Sequence, residues 1–168
     1  MTGIKLLLFD VDGVLTDGRI LIHADGTESK EFNIRDGAGI VWAQRAGLAV
    51  GLLSARLADA TSVRATQLGI TILVQGAANK LAGYQQILAN AGLTDAEVGY
   101  MGDDLQDLPV LRRAGFSAAP ADAAPEVLAA VTWVSSRPGG CGAARECIEH
   151  VLRAQGLWRG AVAEYLGS

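Results

Sequence analysis

Residues 4–9, IKLLLF, followed at once by Asp10, Val11, Asp12 and Gly13, constrain this chain more than any other stretch. Five of the six residues in the run are apolar and they do not alternate, which suits a strand covered on both faces, the central strand of a parallel sheet. Such a strand ends at the carboxyl edge, where open α/β sheets bind ligands, and here the end delivers two carboxylates two residues apart. Taken alone, DVDG also reads as an ordinary strand-breaking turn, since Asp and Gly serve that purpose widely.

The stretch after this turn decides the topology. Residues 19–23 and 28–34 flank Asp25-Gly26, a strong hairpin signal, so a β-hairpin over about 19–34 is expected directly after the first strand. A helical period through Ile40, Val41, Ala43, Gln44 and Ala46 follows, closed by Gly47. Strands are then expected at 48–53, 70–74, 98–101, 116–118 and 131–135. Helices are expected at 57–68, 79–91 and 105–114, between the last two strands, and at 143–154. Strand and helix alternating in this way make a doubly wound parallel sheet of the Rossmannoid kind, with one inserted hairpin and no large cap domain. With 168 residues, half of them hydrophobic, the chain supports one core, and a single domain over 1–168 is expected.

The net charge of -4 argues against a general nucleic-acid or anionic-membrane surface. No apolar run approaches membrane-spanning length, and Asp10 interrupts the one candidate leader segment, so a cytoplasmic protein without a membrane partner is expected. Cys141 and Cys147 are too few for a disulfide framework and are expected reduced, on different faces of the last helix. Neither His23 nor His150 stands at zinc spacing from a cysteine pair.

Placed on that scaffold, the polar residues converge. Asp10 and Asp12 follow the first strand, Ser54 the second, Lys80 opens the helix after the third, and Asp103, Asp104 and Asp107 follow the fourth. All fall at the carboxyl edge. Carboxylates gathered in a cleft repel one another unless a cation sits among them, and oxygen donors with few carboxylates suit Mg²⁺. A cation there also orients a phosphate, which leaves Asp10 to attack phosphorus, Asp12 to move the proton, and Ser54 and Lys80 to hold phosphoryl oxygens. Singly, each residue has a plainer reading: Ser54 as a helix cap, Lys80 as a solvated helix residue, Asp104 and Asp107 as partners of a helix dipole.

The elements DVDGVLTDG, Ser54, Lys80 and GDDLQD resemble the four motifs of the haloacid dehalogenase superfamily of phosphohydrolases. That resemblance implies Asp10 as covalent nucleophile and Asp12 as acid/base and as a metal ligand through its backbone carbonyl. It implies Asp103 as a metal carboxylate, with Asp104 and Asp107 behind it. More narrowly, FNIRDGAGI, the SAR at 54–56, QGAANK at 75–80, GDDLQDLPV, APADAAPEV and GGCGAARE resemble the small capless 3-deoxy-D-manno-octulosonate 8-phosphate phosphatases over about residues 5–156. The implied substrate is a phosphorylated sugar acid, and the implied assembly a homotetramer in which hairpins pack together. Ile20, Ile22 and Phe32 give the hairpin an apolar side that it cannot bury alone.

Asn33, Arg35, Asp36, Gly37, Arg56 and Arg64, with Lys80 and more weakly Arg145, are the candidates for contacting the sugar acid. The guanidinium fork suits a carboxylate, and Asn and Asp suit hydroxyls. Two departures from the family pattern remove positive charge: Val41 and Cys141 stand where it carries arginine. They leave open a nine-carbon sugar acid 9-phosphate of the sialic acid type. A catalytically silent metal-binding domain of the same fold is the other alternative.

Overall fold

The structure, a computed structural model, describes residues 3–167, so Met1, Thr2 and Ser168 of the expected 1–168 unit lie outside the described residues. Strand β1 (Leu6–Phe9) leads into the hairpin strands β2 (Leu21–Ile22) and β3 (Glu28–Ser29) and then helix α1 (Ile34–Arg45). Next come β4 (Ala49–Leu53), α2 (Asp59–Gln67), β5 (Ile72–Val74), α3 (Lys80–Ala91) and β6 (Val98–Met101). After β6 follow α4 (Leu108–Leu111), β7 (Phe116–Ala119), α5 (Pro125–Leu128), β8 (Trp133–Val134), α6 (Ala143–Ala154), α7 (Trp158–Ala161) and α8 (Ala163–Leu166).

Six strands form one sheet in the order β5-β4-β1-β6-β7-β8, and every pairing in it is parallel. The chain runs outward from β1 to β5, crosses back, and runs outward again from β6 to β8. The reversal falls between β1 and β6, where a doubly wound sheet opens its ligand crevice. The absence of alternation in β1 has its cause here. Leu7 and Phe9 pack with Ile40 and Ala43 of α1 and Ile148 and Val151 of α6, whereas Leu6 and Leu8 pack on the other face with Tyr84 and Ile87 of α3 and Val110 of α4. All four strand residues are buried, each contributing roughly 1.5–3 kcal/mol. Helix α6 matches its expected bounds and turns Ala144, Cys147, Ile148, Val151 and Leu152 inward at helical spacing.

Four expectations need correction. The hairpin is shorter than residues 19–23 and 28–34, because Asn33 caps α1: its side chain accepts from the Arg35 N–H at 2.8 Å, and the helix starts at Ile34 instead of near Ile40. The helix expected at 105–114 is a single 3₁₀ turn over Leu105–Asp107 followed by the four-residue α4, since Asp104 and Asp107 cap that turn and Pro109 starts the next. Helix α2 begins at Asp59, leaving Leu57 outside it and 75% exposed. Cys141 is likewise not helical. It stands exposed before α6, whose N-cap is Gly142, while Cys147 is buried, and both are free thiols.

Among the described residues no helix is long and apolar enough to cross a membrane.

Candidate active site

At the carboxyl end of β1 the Asp10 side chain is buried, and its Oδ1 accepts from the Val11 N–H at 2.7 Å. Its Oδ2 lies 2.6 Å from Nζ of Lys80, the first residue of α3, and the same ammonium lies 2.6 Å from Oδ1 of Asp107. Lys80 and Asp107 are almost fully buried, so this charge cluster stands in a poorly solvated place where the geometry must repay desolvation. Additional donors do so: Tyr100 gives its hydroxyl to Asp107 Oδ1 at 2.5 Å, and the N–H groups of Asp103 and Asp104 give to Oδ2 at 3.0 and 3.2 Å. Burial would lower the Lys80 ammonium, but the Asp10 and Asp107 carboxylates outweigh it and hold it above the ordinary lysine value.

Asp103 follows β6, the strand beside β1. Carboxylate oxygens of Asp10, Asp103 and Asp107 come within 4.8 Å of one another. Both Asp107 oxygens are already taken by hydrogen bonds, while Oδ1 of Asp103 is buried and accepts none. A Cβ on Gly13 would lie 2.0 Å from Asp103 Oδ2, and Gly13 has φ +87°, so the loop after β1 closes on this carboxylate only with glycine there. Burial, then the Asp10 and Asp107 charges, push Asp103 up to about 8; burial and Asp107 push Asp10 up to about 6 against the pull of Lys80. An oxygen-only set whose carboxyls resist ionising without a counter-charge fits a hard divalent cation.

The Asp12 carboxylate stands apart from this set. Its Oδ1 accepts from Nζ of Lys30, which arrives from the end of β3, and its Oδ2 lies 3.7 Å from Nε of Arg56. Glu28 of the hairpin completes the ring, 2.6 Å from Nη2 of Arg56 and 3.8 Å from Lys30 Nζ. The Lys30 side chain has no exposed surface. The hairpin base therefore folds back on its own domain, with Phe32 against the core, although strand β2 leaves Leu21 and Ile22 62% and 72% exposed. Sequence reasoning missed Lys30 and Glu28. The signal was present, as two charged residues spaced by two share one side of a strand.

Ser54 is buried at the end of β4 and its hydroxyl accepts from the Arg56 N–H at 3.2 Å, shaping the loop that carries Arg56 without capping α2. Asp104 is exposed and accepts from the Leu105 N–H at 2.8 Å. Several residues expected to touch substrate make contacts within the chain. Asn33 donates from Nδ2 to the Gly140 carbonyl at 3.1 Å, and buried Asp36 accepts from the Arg145 N–H at 2.7 Å, so Asn33 ties the start of α1 to the loop before α6 and Asp36 ties α1 to the first turn of α6. Burial raises the Asp36 carboxyl. Arg64 lies over the Phe32 ring at 5.9 Å and packs so closely on Gly37 that a Cβ there would meet it at 2.3 Å. Arg35 and Arg145 line a cavity of about 440 Å³ with Arg137, Cys141, Glu146 and Glu149, and Arg145 stacks 3.9 Å from the Trp42 ring centre. Of the expected arginines, Arg56 is the one beside an expected catalytic carboxylate.

The sequence pattern of the haloacid dehalogenase-like hydrolases matches residues 49–140, and the chain belongs to that family of enzymes. Within it the chain is similar to the 3-deoxy-D-manno-octulosonate 8-phosphate phosphatases. The one from Escherichia coli (strain K12), KdsC, is 42% identical over 154 residues, which cover 92% of this chain and 82% of the relative. The crystal structure of the Yersinia pestis phosphatase is 42% identical with a TM-score of 0.93, covering 95% of this chain and 86% of that one. The Moraxella catarrhalis phosphatase, solved in complex with magnesium ion, phosphate ion and a KDO molecule, is 33% identical with a TM-score of 0.95, covering 98% of this chain and 94% of that one.

Proposed function

We propose that this chain is a Mg²⁺-dependent phosphatase that releases phosphate from 3-deoxy-D-manno-octulosonate 8-phosphate through a phosphoryl group carried on Asp10. The observation that carries the reading is the buried, unpartnered Oδ1 of Asp103 beside Asp10, at the crevice between β1 and β6. Asp10, Asp103 and the backbone carbonyl of Asp12 would hold the cation, with Asp107 and Asp104 supporting them. When bound, magnesium neutralises the clustered carboxylates and orients the phosphate oxygens. An Asp10 oxygen attacks phosphorus as the bond to the sugar oxygen breaks, and Asp12 gives that leaving oxygen a proton. Asp12 then takes a proton from the water that attacks the phosphorylated Asp10, which returns free. Lys80 and Ser54 hold phosphoryl oxygens, and Lys80 restrains Asp10 in the meantime.

Arg56 is the favoured contact for the substrate carboxylate, since it is already at the mouth of the site and its fork can hold two oxygens. Arg35 is the second candidate. The cation, the eight-carbon substrate and the reaction are supported by the relatives named above. A cytoplasmic homotetramer belongs to the same reading, supported by the exposed Leu21 and Ile22 on a two-stranded hairpin. Sedimentation at micromolar concentration tests that point, and a fully active monomer would overturn it.

Measuring kcat/KM for the eight-carbon 8-phosphate and for nine-carbon sugar acid 9-phosphates on one preparation tests the substrate. The eight-carbon ester is expected to be preferred, and Arg56→Ala to erode the preference. Preference for the nine-carbon ester would overturn the substrate and leave the phosphatase standing.

A further inference from the structure

We propose that Lys30, on the inserted hairpin, is a positioning residue for Asp12, holding one carboxylate oxygen so that the other faces the leaving group; this rests on the phosphatase reading above. The two oxygens of Asp12 are unequal. Oδ1 accepts from the Lys30 ammonium, while Oδ2 is buried and accepts no hydrogen bond, with Arg56 Nε 3.7 Å away. A carboxylate held at one oxygen has lost its freedom to swing, so the free oxygen keeps a fixed direction, which is what proton transfer in a transition state requires.

Lys30 is itself held. Its side chain has no exposed surface, Glu28 Oε1 lies 3.8 Å from Nζ, and Glu28 is anchored to Arg56 at 2.6 Å. A lysine buried completely on a two-stranded hairpin gives up hydration and side-chain entropy that a solvated lysine keeps. The ion pair with Asp12 is the interaction that offsets this. For phosphoryl transfer Asp12 first takes a proton from solvent on Oδ2. That proton passes to the leaving sugar oxygen as the phosphorus–oxygen bond breaks and the bond to Asp10 forms, which returns Asp12 to the ion-paired state. Asp12 is then a carboxylate, and the Lys30 charge stabilises it. The hairpin thus completes the acid/base group of its own site, in addition to any contact it makes with another subunit.

The test separates proton delivery from binding and from folding. Lys30→Gln and Lys30→Arg are compared with the unsubstituted protein on p-nitrophenyl phosphate, whose leaving group needs no proton, and on glycerol 1-phosphate, whose alkoxide does; neither carries a carboxylate. The expected result for Lys30→Gln is a kcat/KM loss of about 100-fold on the alkyl ester and less than about threefold on the aryl ester, with substantial rescue in Lys30→Arg. In an Asp12→Asn background, Lys30→Gln is expected to add almost nothing. Equal losses on both esters would overturn the proposal in favour of a structural role. A loss confined to the carboxylated sugar acid phosphate would overturn it in favour of a substrate contact. No turnover of any ester by the unsubstituted protein would overturn the phosphatase reading itself, and this inference with it.

Discussion

Lys80 Nζ lies 2.6 Å from Asp10 Oδ2, and both side chains are almost wholly buried at the carboxyl edge of the sheet. A lysine in such a place stays charged only because two carboxylates face it, and the carboxylates tolerate burial only because it faces them. Lys80→Met is therefore expected to cost stability as well as turnover. Removing one partner of a buried ion pair costs roughly 3–5 kcal/mol. Urea unfolding of the variant measures this, and a loss below about 1 kcal/mol would mean that the cluster is far better solvated than its geometry indicates.

Asp10→Asn separates chemistry from architecture. The amide keeps the shape and the Val11 contact, and it removes a negative charge from a group that already resists ionising. Folding is expected to survive while turnover falls on the order of 10⁴-fold or more, in steady-state assays with circular dichroism as control. Activity near that of the unsubstituted protein would rule out Asp10 as nucleophile.

Gly13 is the third point of stress. Gly13→Ala would place a methyl group 2.0 Å from Asp103 Oδ2 in a backbone conformation with φ +87°. The expected outcome is a stability loss of roughly 1–3 kcal/mol and much weaker Mg²⁺ binding, the latter read by titration calorimetry. Unchanged metal affinity would show that Asp103 moves freely.

The acidic cluster also sets a pH dependence. Asp10, at about 6, and Asp103, at about 8, bind protons more tightly folded than unfolded, where both sit near 3.8. In metal-free protein their joint contribution to stability therefore falls as pH rises from about 4, levelling first near 6 for Asp10 and then near 8 for Asp103. Mg²⁺ competes with those protons, so the rise in melting temperature on adding it is expected to be larger at pH 8 than at pH 5. Thermal unfolding across that range, with and without the ion, measures both effects.

The order of elements and the convergence of Asp10, Lys80, Asp103 and Asp107 were legible because they follow from strand-end positions, which a parallel sheet dictates whatever the loops do. The start of α1 was not legible in the same way. Gly37 and Gly39 interrupt its apolar period and disguise a helix that Asn33 has already capped. The substrate side of the site was hardest to read, because an arginine or asparagine looks the same whether it faces a ligand or ties two elements together. Asp36 and Asn33 proved to bind the segment around α6, more than a hundred positions away, and Lys30 reached the site through a hairpin fold that polar patterning did not distinguish from a solvated face.

Phosphate release from 3-deoxy-D-manno-octulosonate 8-phosphate, measured on the unsubstituted protein with Mg²⁺ and again after chelation, bears most directly on the proposed activity. Turnover with the ion, its loss on chelation and its return when Mg²⁺ is restored are the predicted results. No phosphate released with Mg²⁺ present, from protein shown by calorimetry to be folded and to bind the ion, would contradict it.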